Sequence, residues 1–94
     1  MRLSETEQQI IREAVFCVDP QAKIYLFGSR ADDAKRGGDI DLLIFSPKIS
    51  FKDKLDIKAK IFEHIEEQKI DLLIATDTQD PFVRIALENS VELV

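Results

Sequence analysis

The residues best suited to chemistry in this chain are three aspartates set in two near-identical apolar segments. Asp39 and Asp41 stand two positions apart in Asp39-Ile40-Asp41-Leu42-Leu43-Ile44-Phe45, and Asp71 recurs in Lys69-Ile70-Asp71-Leu72-Leu73-Ile74-Ala75. Residues i and i+2 of a strand share a face and lie about 7 Å apart, so Asp39 and Asp41 form a two-carboxylate edge if the first segment is extended. Asp71 on a neighbouring strand would add a third carboxylate about 4.8 Å away. Oxygen ligands at such distances can bracket two Mg²⁺ ions about 4 Å apart, an arrangement suited to in-line phosphoryl or nucleotidyl displacement. Carboxylates crowded on a half-buried strand repel one another and are desolvated unless a cation compensates them. Mg²⁺ is the expected cation because it combines a few carboxylates with phosphate oxygens and water, and Mn²⁺ can substitute.

Gly28-Ser29 supplies the complementary half of such a site. A glycine lets backbone N–H groups approach a phosphate without interference from a Cβ, and the Ser29 hydroxyl can donate to the same group. Positive charge near a leaving pyrophosphate is available from Arg30, Lys35 or Arg36, with Arg30 the first candidate. Taken singly, a Gly-Ser pair is an ordinary turn and an Asp-x-Asp is an ordinary strand edge. Their occurrence in order, followed by a third strand carboxylate, is what points to a nucleotide-handling site.

The elements that must hold these groups can be read from periodicity. Ser4 with Glu7 predicts a capping box opening a helix that runs to about Val18, where Asp19-Pro20 stops it. Lys23–Phe27 predicts a short strand meeting the turn at Gly28, residues 30–38 a polar loop, and Asp39–Phe45 a strand covered on both faces. Helical spacing returns from about Ser50 to Gln68. Phe51, Leu55, Ala59 and Phe62 mark one line there, and Ile57, Ile61 and Ile65 widen the apolar arc to about half the circumference. The arc containing Ile57 and Ile61 is therefore a candidate docking face as well as a packing face. Lys69–Ala75 predicts a third strand, Thr76–Pro81 a turn opening a long third helix, and Val91–Val94 an edge strand. The order α-β-β-α-β-α-β implies an α/β (α+β) architecture, a small mixed sheet with helices packed on it, forming one domain over residues 1–94.

Composition narrows the function classes. Hydrophobic residues are 45% and charged residues 33% of the chain, an ordinary globular balance. The apolar runs are too short to span a bilayer, and no leader pattern follows Met1, so a cytoplasmic protein is expected. The net charge of -5 argues against binding long nucleic acid. Cys17 reads as core packing, His64 as a surface residue, Tyr25 as strand packing, Asp32-Asp33 as a hydrophilic turn, and the charges of Lys52–Lys60 as a solvated helix face.

Phe27-Gly28-Ser29-Arg30, then Asp39-Ile40-Asp41-Leu42 after the spacer 30–38, and the later Asp71 resemble the minimal nucleotidyltransferase (MNT) group of the DNA-polymerase-beta-like superfamily. The resemblance covers nearly the whole chain, including Phe82–Val91. It implies the nucleotidyltransferase fold, phosphate binding by Gly28 and Ser29, metal binding by Asp39 and Asp41, and completion of the triad by Asp71, with ATP as substrate. Two features depart from many members: residues 30–38 are one fewer than the usual spacer, and Gly38 replaces a serine. Only about twenty residues follow Asp71, too few for an acceptor-binding lobe of usual size, so the acceptor is expected on another molecule. Members of this size are similar to antitoxins that pair with a HEPN-type ribonuclease toxin, which implies AMP transfer to a tyrosine hydroxyl of that partner in a hetero-oligomer. Two other readings stay open: modification of a small hydroxylated molecule such as an antibiotic, with the acceptor pocket completed by a homo- or hetero-oligomer, or neutralisation of a partner by contact alone.

Overall fold

The computed structural model describes residues 3–28, 39–65 and 69–93. Its first helix, α1 (Glu5–Phe16), begins where the sequence places a cap. The Ser4 N–H donates to Glu7 Oε1 at 2.9 Å and the Glu7 N–H donates to Ser4 Oγ at 3.1 Å, closing the expected capping box. The same device opens α2 (Phe51–His64), where Ser50 and Asp53 exchange two bonds of 3.1 Å. The third helix, α3 (Pro81–Glu88), starts with Pro81 in its first turn, and Asp80 Oδ1 accepts the Phe82 N–H at 2.8 Å.

Four strands form one sheet: β1 (Lys23–Phe27), β2 (Ile40–Phe45), β3 (Ile70–Ala75) and β4 (Val91–Leu93), in spatial order β3-β2-β1-β4. β1 runs antiparallel to both β2 and β4, whereas β2 and β3 are parallel. A parallel pair needs a long crossover, and α2 is that crossover. The mixed sheet and the element order α-β-β-α-β-α-β are those expected from the sequence.

Strand alternation sorts the side chains onto two sheet faces. Ile24, Leu26, Ile40, Leu42, Ile44, Ile70 and Leu72 point to one face and join Ile11, Ala14 and Val15 of α1 and Ile57 and Ile61 of α2 in the main core. Tyr25, Phe27, Leu43, Phe45 and Leu73 point to the other face, where Val83 and Ala86 of α3 cover part of them. Asp41 and Asp71 alternate with the main-core residues and so lie on this second, partly covered face.

Several boundaries and faces differ from the periodicity reading. α2 ends at His64 rather than Gln68, with buried Ile65 as its C-cap and residues 66–68 outside the described residues. α3 is an eight-residue helix, not a long one, because Asn89-Ser90 must turn the chain into β4. Ile57 and Ile61 are 1% and 0% exposed, so the docking face expected there is core; it is Phe51, Leu55 and Phe62 that face outward. Cys17 is exposed at the C-cap of α1, with its sulfur 3.4 Å from Lys60 Nζ, instead of packing in the core. Tyr25 does pack, edge-on to Phe45 at 5.7 Å between ring centroids.

A buried polar pair ties the sheet to the α1–β1 turn. Asp19 and Ser46 are 2% and 3% exposed. Ser46 Oγ donates to Asp19 Oδ2, Asp19 Oδ1 accepts the Gln21 N–H at 3.0 Å, and Ser46 Oγ accepts the Lys48 N–H at 3.1 Å. These bonds satisfy groups that burial would otherwise penalise, and they hold Asp19 below the ordinary carboxylate range, the Ser46 hydroxyl contributing most.

Candidate active site

The β2–β3 register sets Asp41 directly opposite Asp71. Both strands are parallel and both aspartates precede a Leu-Leu-Ile run, so the repeated pentapeptide aligns with itself across the ladder. Neighbouring strands lie about 4.8 Å apart, which brings the two carboxyl groups within reach of each other. On the other side of β2, Asp41 is opposite Phe27, the last residue of β1. Three strands thus deliver Asp71, Asp41 and Phe27 as one row across the sheet.

Gly28 continues that row beyond β1. Its φ of +74° lies in the left-handed region, which favours glycine. A Cβ built at this position would overlap the Asp41 carboxylate oxygen and stand 3.3 Å from its Cγ. The bare backbone therefore lets the turn close onto Asp41. Ser29 and Arg30 lie outside the described residues, as do Asp32, Asp33, Lys35, Arg36 and Gly38.

Asp39 sits just before β2 and is exposed, so it is not the strand residue that an i, i+2 pair would make it. The ladder begins one residue later, with the Ile40 N–H donating to the Lys69 carbonyl at 2.8 Å. Asp39 is nevertheless close enough for its charge to act on Asp41. Among the described residues, no group of three or more His, Cys, Asp or Glu side chains is already gathered for a metal ion.

Electrostatically the row is a cluster of unbalanced negative charge. Burial pushes the Asp41 carboxyl above its ordinary pKa, and the charges of Asp71 and then Asp39 push it the same way. A hydrogen bond with Asp71 adds to the rise, since two carboxyl groups can share such a bond only when one holds a proton. Lys69 opposes the rise. Its Nζ lies 4.0 Å from Asp71 Oδ2, with both side chains well exposed. Lys69 is not among the residues that the aspartate spacing singles out, and its place two residues before Asp71, at the entry to β3, is the signal in the sequence that it neighbours the site. A carboxyl cluster that attracts protons attracts a divalent cation for the same reason, so the donor set fits Mg²⁺ bound with phosphate and water.

A family model for "Polymerase beta, Nucleotidyltransferase" matches residues 8–94. The chain belongs to this nucleotidyltransferase family. The match spans all four strands and all of α2 and α3, so the row Phe27–Asp41–Asp71 sits on the nucleotidyltransferase fold.

Solved structures give the same architecture. A Shewanella oneidensis protein superposes with a TM-score of 0.74 at 10% identity, over 98% of this chain and 72% of that one. A chain of a toxin–antitoxin structure with AMP-PNP gives 0.75 at 17% identity, over 93% and 72%. A chain from a structure of tri-AMPylated Shewanella oneidensis HEPN toxin in complex with MNT antitoxin gives 0.63 at 17% identity, over 93% and 71%. At these identities the likeness speaks for the fold. Comparison with curated protein sequences gives no match.

Proposed function

We propose that this nucleotidyltransferase transfers AMP from ATP to a tyrosine hydroxyl of a HEPN-type toxin and so acts as its antitoxin in the cytoplasm. The observation that carries the transfer chemistry is the Asp41–Asp71 register pair beside a glycine whose missing Cβ leaves room for the Asp41 carboxylate. Support for the acceptor comes from the solved complexes of the same fold, one containing a tri-AMPylated HEPN toxin with an MNT antitoxin and one containing AMP-PNP. One domain over residues 1–94 carries the donor side of the reaction, and the partner brings the hydroxyl.

In this reading Gly28 and Ser29 receive the triphosphate, with Arg30 beside the leaving pyrophosphate, and Asp39, Asp41 and Asp71 hold Mg²⁺, or Mn²⁺ in its place. Bound there, the divalent ions supply charge stabilisation for in-line displacement at the α-phosphorus. The acceptor oxygen forms a bond to that phosphorus, the bond to pyrophosphate breaks, and the hydroxyl proton passes to a carboxylate of the row. We assign that proton to Asp71, which lies on the edge strand β3 with a well-exposed side chain. Phe27 stands opposite Asp41 in the β1–β2 register. Asp39 stands exposed at the entry to β2, on the solvent side from which a cation would arrive.

The test is an intact-mass measurement on a HEPN-type partner mixed with the protein, Mg²⁺ and ATP. A gain of whole AMP units, abolished by Asp41→Ala with Asp71→Ala, is the expected result. A complex with unchanged masses would instead assign neutralisation by contact, and modification of a supplied small hydroxylated molecule would move the acceptor to that class.

A further inference from the structure

The helix that closes the main core turns a second apolar line away from it. Phe51, Leu55 and Phe62 are 68%, 52% and 50% exposed, and Ala59 between them is exposed too. At 3.6 residues per turn these four fall within an arc of about 80° and extend about 16 Å along α2. Ile57 and Ile61, on the far side of the helix, are buried. A contiguous apolar line with charged flanks is the signature of an interaction surface rather than of scattered surface hydrophobics.

The order of residues along this line makes it self-complementary. It begins with Phe51-Lys52 and ends with Phe62-Glu63. Lys52 and Glu63 lie about 20° apart around the helix, on the same flank of the line. An antiparallel two-fold pairing of two such helices brings like flanks together, end to opposite end. With the axis level midway between residues 56 and 57, Phe51 of one copy meets Phe62 of the other, and the two Leu55 side chains meet near the axis. Lys52 of each copy then faces Glu63 of the other, so opposite charges meet twice. On the opposite flank, Lys54 and Lys58 of the two copies face each other, and on the Lys52 flank the two Asp56 side chains do so near the axis, which keeps the association weak.

We propose that the outward face of α2 is a homodimer surface on which a second copy of this chain docks antiparallel. The carboxylate row lies on the other face of the sheet, so both sites stay open in the dimer. The inference stands independently of the acceptor proposed above.

Sedimentation of the protein alone over a concentration series tests it. The wild type shows a monomer–dimer equilibrium, and Leu55→Asp with Phe62→Asp gives monomer with unchanged helical circular dichroism. Lys52→Glu weakens the dimer several-fold, and adding Glu63→Lys restores it. Lys58→Glu tightens it several-fold by setting a carboxylate opposite Lys54 of the second copy, whereas docking of an acidic partner would be weakened by the same change. A wild type that stays monomeric at its highest soluble concentration overturns the proposal, as does a dimer indifferent to the Leu55 and Phe62 changes. If the monomeric protein instead protects this line only when a HEPN-type partner is added, the face belongs to that partner and self-docking is wrong.

Discussion

Asp41 and Asp19 are both carboxyl groups packed into the sheet region, yet they respond to pH with opposite sign. Burial and the charges of Asp71 and Asp39 raise the Asp41 pKa in the folded chain. Folding therefore takes up a proton between the ordinary carboxylate range, about 3.9, and the raised value. The metal-free protein gains stability from this group as pH falls through that window. Asp19 is held low by Ser46 and the Gln21 N–H, so its contribution is complete above the ordinary range and is lost as pH falls through its depressed value. Asp41→Asn should accordingly raise the melting temperature of the metal-free protein at neutral pH and flatten its dependence on pH. It should also cut nucleotidyl transfer by on the order of 10²-fold or more. A melting temperature lowered by that substitution would contradict the electrostatic account. Gly28→Ala meets both a positive φ and the Asp41 carboxylate. A destabilisation of about 1–2 kcal/mol from backbone strain alone is expected, together with loss of nucleotide binding, read by urea unfolding and by titration with ATP and Mg²⁺.

Among the elements, α2 divides its apolar residues between two jobs, and this is where periodicity was least informative. Ile57 and Ile61 alternate around the helix with Phe51, Leu55 and Phe62, so both arcs satisfy a helical repeat and neither announces which faces the sheet. Tertiary packing decides: the isoleucines meet the main-core face of β2 and β3. Ile61→Ala should cost about 2–5 kcal/mol in urea unfolding, whereas Phe62→Ala at dilute protein concentration should change stability by no more than about 0.5 kcal/mol. Reversed magnitudes would mean that the helix is rotated. By contrast, the start of α1 was legible, because Ser4/Glu7 is local capping chemistry that needs no tertiary partner, whereas the start of α2 near Ser50 came from helical spacing, and its Ser50/Asp53 box is a finding of the structure. The strands were legible as well, since each is bounded by glycine, proline or polar turns. Asp41 opposite Asp71 could be anticipated from the shared Ile-Asp-Leu-Leu-Ile, but the parallel register that makes it so depends on α2 and was not written in either segment. Asp39 fell outside the ladder because the first inter-strand bond is made by Ile40, a detail of register that composition does not carry. Cys17 looked like core because its neighbours Ala14 and Val15 are, yet it falls on the first exposed position after α1 ends.

At the scale of the whole molecule, the sheet separates two surfaces. One face is closed by α1 and α2; the other is only partly covered by α3 and carries the acidic row. The chain as a whole has a net charge of -5, so a triphosphate approaching Asp41 and Asp71 meets repulsion from both the site and the surface. In the proposed function a divalent cation reverses that local sign, so metal and nucleotide are expected to depend on each other for binding. With ATP and Mg²⁺ at about one hundred times the dissociation constant, a ligand confined to the native state stabilises it by about 2.7 kcal/mol. The melting temperature should therefore rise clearly with Mg-ATP. It should rise little with ATP in EDTA or with Mg²⁺ alone, and Mn²⁺ should restore the rise. Calorimetry at one fixed pH checks this, and an equal rise with ATP in EDTA would show that the phosphates are held without help from the carboxylate row.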